Sequence, residues 1–248
     1  MTSTAVKPAP APIYKARLAA NLEDVNAAQR LRFEVFNLEL NEGLADSWRT
    51  YMDVDRFDEV CDHLLVEHTP TGAVVGTYRL QTGTMAAAKF GYYSEQEFDF
   101  SPYESVRGET VELGRACVHM AHRKMNVLNM LWRGIAEYAL QRKARYLLGC
   151  SSLTSQDPAL GHAMYQSLAD DYLVREEFRT LPLEKYRLPE MTETIECSEP
   201  PRLLSAYLSI GARICGPAAI DREFGTIDFL TLIDLRDLPA TVKGRFIA

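Results

Sequence analysis

With 248 residues, 47% of them hydrophobic and 25% charged, the chain has the composition of an ordinary soluble globular protein and is long enough to bury a sizeable core. The formal net charge of -7 excludes the dominant basic surface that broad nucleic-acid binding requires. No apolar run approaches the ~20 residues of a membrane span.

The N-terminus, MTSTAVKPAPAP, has no apolar core of a signal peptide and reads as a disordered tail over residues 1–12. One domain is expected over residues 13–248. Residues 14–20 predict a short strand. Asn21 is placed to cap a helix over 22–41, with Glu23 and Asp24 in its first turn and Val25, Ala28, Leu31, Val35 and Leu38 on one face. Residues 42–60 break that periodicity in a long acidic loop ending DVDRFDEV, and loops of this length are often functional. DHLLVEHT and AVVGTYRLQ then predict a β-hairpin.

Residues 86–107 mix short helical and turn signals, and VELGRACV is the next strand. A second amphipathic helix is expected from about His122 to Lys143, and RYLLGCSSL reads as a strand buried on both faces. Residues 158–169 predict a helix, and strands are expected near 172–180 and 226–235. This order places helices between the strands of one mixed sheet, an α/β sandwich. The five cysteines (Cys61, Cys117, Cys150, Cys197 and Cys215) show no CxxC spacing, which favours reduced thiols over disulfides or a zinc site. His119 and His122 alone are too few ligands for zinc.

Arg32, Asp55, Asp58, Arg79, Glu112 and Arg115 each have an ordinary reading as a solvated charge or turn former. Together, the segments LRFEVF, DVDRFDEVCDHLLV, VVGTYRLQ and VELGRACV, in this order, resemble the acyl-homoserine-lactone synthases. The hallmark positions of those enzymes fall on Arg32, Phe36, Asp55, Asp58, Arg79, Glu112 and Arg115. A related branch matches more closely. CDHLLV, TGAVVGTYRL, YYSEQEFDFS, ELGRACVH, LWRGIAEYAL, YLLGCSSL and YLSIGARICGPAAIDREFGTIDFLTLIDL look like the ornithine-acyl carrier protein N-acyltransferases, hemolysin-like members of the GNAT acyltransferases. The resemblance runs from about residue 14 to residue 235.

It implies a GNAT-like fold and transfer of a (3-hydroxy)fatty acyl group from acyl carrier protein to the α-amine of an amino acid, ornithine first. The product would be a lyso-ornithine lipid. The donor would be the carrier's acyl-phosphopantetheine, with no tightly bound cofactor and no metal. Glu112 and Arg115 are the expected catalytic pair, with Glu112 as general base. Arg32, Phe36, Asp55, Asp58, Arg79 and His63 form the expected substrate-binding set. His63 and His119 are alternative bases. Gly114 is the kind of residue that permits a β-bulge, which would turn both charges of the E-x-x-R strand toward one cleft.

Many coenzyme A-dependent GNAT enzymes carry a glycine-rich pyrophosphate turn. Here the matching segment is HRKMNVLNM, without a glycine pair. That departure favours a carrier protein, whose acidic body would meet Arg123 and Lys124, with Arg142, Lys143 and Arg145 as further candidates. A cytoplasmic location follows, with peripheral contact at the inner membrane through the lipid product. The competing expectations are a homoserine-lactone synthase or another N-acyl amino acid synthase, and a non-catalytic lipid- or carrier-binding protein.

Overall fold

A computed structural model of the chain describes residues 12–191, 195 and 199–246. Apart from Pro12, the expected N-terminal tail lies outside the described residues, as does Cys197. The elements in chain order are β1 (Tyr14–Leu18), α1 (Leu22–Phe33), α2 (Ser47–Thr50), β2 (Asp62–His68), β3 (Ala73–Thr82), α3 (Gly83–Ala88), β4 (Thr110–Val118) and α4 (Met125–Gln141). They continue with β5 (Tyr146–Leu153), α5 (Pro158–Tyr172), α6 (Arg202–Ser209), β6 (Arg213–Ile214), β7 (Ala219–Asp221), β8 (Thr226–Asp234) and α7 (Ala240–Phe246). The strands form one sheet in the order β1-β2-β3-β4-β5-β8-β6, with β7 also paired to β8. Among the described strand pairs only β4 and β5 run parallel; the other neighbours are antiparallel.

Asn21 caps α1 through its side chain, which accepts from Asp24 N–H at 3.0 Å. Beyond Phe33 the expected long helix continues as a wider π-helical turn, Glu34–Glu39, rather than as regular α-helix. On the opposite face of the sheet, Val127, Leu131, Ile135 and Tyr138 of α4 pack with Leu64, Val66, Val75, Leu80 and Val111, and these side chains form the main apolar core. Burial of such side chains supplies the dominant stabilisation.

Two sequence expectations are corrected. Residues 172–180 do not form a strand: α5 runs through Tyr172, one bridge joins Leu173 to Ile214, and a short 3₁₀ turn covers Glu176–Phe178. The apolar residues there pack into side clusters instead of a ladder. The bulge in β4 is present, but its unusual backbone is not at Gly114. Arg79 pairs with Gly114 and Thr77 with Cys117, so Arg115 and Ala116 together face Tyr78. Arg115 takes the left-handed conformation, φ 50°, which costs on the order of 1–3 kcal/mol for a non-glycine residue.

β4 and β5 pair only from Thr110/Tyr146 to Glu112/Leu148 and then separate. At the fork a Cβ on Gly149 would lie 2.1 Å from the Leu113 carbonyl oxygen, whereas a Cβ on Gly114 would meet nothing within 4 Å. The close approach therefore requires glycine at 149 and not at 114. Gly149→Ala is expected to lose roughly 1–3 kcal/mol of stability, and Gly114→Ala to stay within about 0.5 kcal/mol of the parent. Urea unfolding of the two variants checks the contrast; equal losses would refute this account of the fork.

Candidate active site

The fork between β4 and β5 opens into a cleft of about 270 Å³. One part is apolar, lined by Tyr78, Leu113, Ala116, Trp132, Leu147, Tyr207 and Ile233, which belong to or pack against the main core. The other part is polar and carries Glu42, Tyr93, Ser94, Glu112, Arg115 and Asp228. A site of this form accommodates an aliphatic chain at one end and a charged group at the other.

Glu112 is 4% exposed. Its Oε2 accepts from Tyr93 N–H at 2.7 Å, and its Oε1 accepts from Ser94 N–H at 2.8 Å and from Ser94 Oγ–H at 2.6 Å. Three of a carboxylate's roughly four acceptor directions are thereby used, which leaves one on Oε2. Burial pushes its pKa above the ordinary glutamate value, while the Ser94 and Tyr93 donors pull it partly back. A carboxylate whose pKa is raised in this way holds a proton more tightly than an ordinary glutamate, which suits it to accepting one.

Arg115 reaches the same cleft because of the bulge. Its Nη2 donates to Asp55 Oδ2 at 3.1 Å, its Nε lies 3.2 Å from Asp53 Oδ2, and its guanidinium sits 4.4 Å from the Phe224 ring centre and 4.8 Å from that of Tyr93. Asp55 Oδ1 accepts from Arg79 at 2.6 Å, so Arg115 stands on the side of the sheet that Arg79 occupies. Gln81, two residues along from Arg79, is the register partner of Glu112. Alternation plus one extra residue thus brings Glu112 and Arg115 together.

Behind them Arg32, only 1% exposed, donates from Nη1 and Nη2 to both oxygens of Asp58 at 2.9 and 2.7 Å, and its Nε lies 2.8 Å from Asp53 Oδ2. Its Nη2 also donates to the Asp53 carbonyl. Asp58 further accepts from Gln29 at 2.9 Å and Arg79 at 3.1 Å. Burial alone would raise Asp58, but Arg32 and Arg79 hold its pKa well below the usual carboxylate range; Arg79 and Arg115 likewise lower Asp55 against its burial. Three arginines therefore neutralise three aspartates. Arg32 and Asp58 are spent on each other and do not line the cleft, whereas Arg79, Arg115 and Phe36 do. His63 is buried behind the cleft with Nε2 3.4 Å from the Asp58 carbonyl oxygen, and burial lowers its pKa.

His119 pairs with Glu34 at 3.0 Å and His122 with the Tyr14 hydroxyl at 3.0 Å, so neither enters the cleft. Arg123 and Lys124 lie just before α4. Arg123 is bound by Glu39 at 2.6 Å and donates to the Val118 carbonyl at 3.0 Å, while Lys124 is exposed. Arg142 pairs with Asp62 at 3.3 Å and Arg145 with Asp234 at 2.7 Å.

Sequence reasoning missed Asp53, Tyr93, Ser94, and a group of buried acids: Glu97, Asp221 and Asp228, with Glu42 nearby. A signal existed for Asp228, which interrupts the otherwise apolar run of β8, TIDFL. Burial raises its pKa to about 6, opposed by the Ser152 and Thr226 hydroxyls and reinforced by the neighbouring Asp221 and Glu42. Burial and the charges of Asp228 and Asp221 also raise Glu97, against the field of Arg115. An unfolded aspartate titrates near 3.9, so the folded chain binds the proton more tightly and stability falls as pH rises from about 4 through 6. Asp228→Asn is expected to abolish that loss. Its melting temperature is expected to exceed the parent's by about 2–4 °C at pH 7.5, and the gap should close toward pH 4. A variant that melts lower at every pH would contradict this.

Residues 31–133 match the sequence family described as Acetyltransferase (GNAT) domain. The chain is 32% identical over 248 aligned positions to the L-ornithine N(alpha)-acyltransferase of Agrobacterium fabrum strain C58, covering 94% of this chain and 83% of that one. It is 32% identical over 235 positions to the protein of the same name from Rhodobacter capsulatus, covering 89% and 90%. Among solved structures, FeeM, an N-acyl amino acid synthase from uncultured soil microbes, shares the fold with a TM-score of 0.56 at 11% identity, covering 91% of this chain and 94% of that one. The match in sequence over nearly the full length of both partners leads to one conclusion: the chain belongs to the L-ornithine N(alpha)-acyltransferase family, built on a GNAT fold.

Proposed function

We propose that this chain is an N-acyltransferase that moves a 3-hydroxyacyl group from the thioester of acyl carrier protein to the α-amine of L-ornithine, giving a lyso-ornithine lipid. The observation that carries this reading is the fork of β4 and β5, which joins a buried carboxylate, Glu112, to an apolar channel in one cleft. A thioester lying in the fork has its acyl chain among Leu113, Trp132, Leu147 and Ile233. Its carbonyl then sits beside backbone groups of β4 that have lost their ladder to β5 beyond Glu112. Those N–H groups are the donors for the oxyanion of the tetrahedral intermediate.

A free amino acid's amine is mostly protonated at neutral pH. The open acceptor direction of Glu112 takes a proton from it, directly or through a water, and the neutral nitrogen attacks the thioester carbon. The C–N bond forms, the C–S bond breaks, and the proton that the acylated nitrogen sheds goes to the departing thiolate, leaving an amide, a free thiol and a protonated Glu112 that returns its proton to solvent. Arg115, fixed by Asp53 and Asp55, presents positive charge to the cleft for the acceptor's carboxylate. Arg32, Asp55, Asp58 and Arg79 act by holding Arg115 and the loop before β2 in place, and Phe36 packs on Phe224 at the cleft wall with ring centres 5.4 Å apart.

The absent glycine turn and the exposed Lys124 support a carrier-protein donor over coenzyme A. No helix among the described residues is long and apolar enough to cross a membrane. Peripheral contact at the cytoplasmic face would use Leu38, Trp48 and Tyr51, exposed near cleft-lining Leu40. A non-catalytic binding protein would have no need of a buried, hydrogen-bonded Glu112. Mass spectrometry of lipids from a bacterial host expressing the protein tests the reaction: a new N-acyl ornithine is expected, and its absence from cells holding folded protein would refute it.

Glu112→Gln is expected to lower turnover on the order of 10²–10⁴-fold. It should also melt lower, because its amide –NH₂ must face either Tyr93 N–H or Ser94 N–H. Ser94→Ala removes a hydrogen bond that favours the ionised form, so the acid limb of kcat/KM should move to higher pH. Full activity in a folded Gln variant, or an unmoved limb in Ser94→Ala, would remove Glu112 as the base.

Acyl-coenzyme A should be a much poorer donor than the same chain on carrier protein. Arg123→Glu with Lys124→Glu should raise KM for the carrier in a salt-dependent way and leave KM for ornithine unchanged. Equal rates with both donors would count against the carrier assignment.

A further inference from the structure

We infer that the buried carboxylates Glu97, Asp221 and Asp228 form the subsite that holds the side-chain ammonium of a diamino-acid acceptor. This deepens the reading above and rests on it, because it takes the acceptor's α-amine to lie at Glu112.

Uncompensated charge is the first ground. The three side chains are all buried, and one carboxylate oxygen from each lies within 4.8 Å of the others. Among the described residues none of the three has a Lys, Arg or His partner in an ion pair. Arg115, whose field reaches Glu97, is already bridged to Asp53 and Asp55. Buried carboxylates without a partner are costly, so a cluster of them marks a place for a cation that arrives from outside.

Unsatisfied acceptors are the second ground, independent of the cluster's charge. Gln81, 1% exposed, lines the cleft beside its register partner Glu112, and among the described residues its Oε1 has no hydrogen-bond partner. Asp228, 4% exposed, also lines the cleft, and among the described residues its Oδ1 has no hydrogen-bond partner. One orphan acceptor therefore sits beside Glu112 and another at the acid cluster. A ligand that satisfies both needs two separate groups rich in N–H donors.

The two places are linked through adjoining side chains. Ser94 Oγ donates to Glu112 at 2.6 Å and lies 3.4 Å from Cys150 Sγ, which is 3.9 Å from Glu97 Oε2. A short aliphatic spacer between two amines spans such a separation, as in a 2,5-diaminocarboxylic acid. An ammonium has three donors to match three carboxylates. A hard divalent ion asks for six or more oxygens. Here Asp221 Oδ1 already accepts from the N–H groups of Glu223 and Phe224, and Asp228 Oδ2 accepts from Thr226. The raised carboxyl pKa values noted above are consistent with a site that is relieved when a cation enters.

The test is steady-state acylation by the full chain with ornithine and with norvaline, which has the same skeleton without the second amine. The parent should prefer ornithine in kcat/KM by roughly 10²-fold. Asp228→Asn and, separately, Glu97→Gln should raise KM for ornithine roughly 10–100-fold with kcat little changed, and leave norvaline unaffected. Melting temperatures identify any variant that fails to fold. Equal use of both acceptors by the parent, or parallel losses with both acceptors in the variants, would overturn the subsite. So would ornithine turnover abolished by EDTA and restored by Mg²⁺ or Mn²⁺. If the parent acylates neither acceptor, the reaction reading fails, and calorimetric titration decides the subsite alone. Ornithine binding that is lost in Asp228→Asn upholds it, and binding no tighter than norvaline's rejects it.

Discussion

Everything that gives this fold a site follows from the parting of two parallel strands. β4 and β5 share a ladder only as far as Glu112 and Leu148. Each then keeps its other neighbour, β4 with β3 and β5 with β8, so neither strand frays although the bond between them is lost. The extra residue in β4 bends it away, and Gly149 lets the Leu113 carbonyl approach at the point of the fork. An interior cleft results whose walls are rigid sheet, and in which unpaired backbone is available to a ligand.

The Arg–Asp network explains how a strained strand is kept in that shape. Arg115 holds a left-handed backbone, and its guanidinium is tied to Asp53 and Asp55. Asp55 and Asp58 are in turn tied to Arg79, and Asp58 and Asp53 to Arg32 on α1. Buried ion pairs contribute little net stability once desolvation is counted, but the loss of one partner leaves a bare buried charge and costs about 3–5 kcal/mol. The network is thus better understood as specifying one geometry than as strengthening the fold.

Across the cleft the balance differs. On the α1 side three acids meet three arginines, whereas around β8 the acids Glu97, Asp221 and Asp228 meet none among the described residues. This asymmetry lowers the stability of the fold at neutral pH, as the raised Asp228 carboxyl indicates. Proteins commonly retain such local instability where a ligand must bind.

Much of this was legible in the sequence. Hydrophobic periodicity gave the two long helices, the hairpin and the strands at VELGRACV, RYLLGCSSL and 226–235, because burial on one or two faces leaves a pattern in local order. The ordered charges Arg32, Asp55, Asp58, Arg79, Glu112 and Arg115 pointed to a shared site, and Gly114 beside Arg115 pointed to a bulge in the right strand. What sequence order could not decide was which charge meets which. Asp53 and Asp55 stand at adjacent same-parity positions in one loop, and only the folded loop brings both to Arg115. Nor could it decide which residue bears the bulge's backbone strain, since the tie to Asp53 and Asp55 makes a left-handed arginine tolerable where glycine was expected. The acid cluster draws Glu97, Asp221 and Asp228 from three distant segments, so its local signals were single carboxylates among ordinary neighbours. Charge compensation is a property of distances in space, and only the tertiary structure sets those distances.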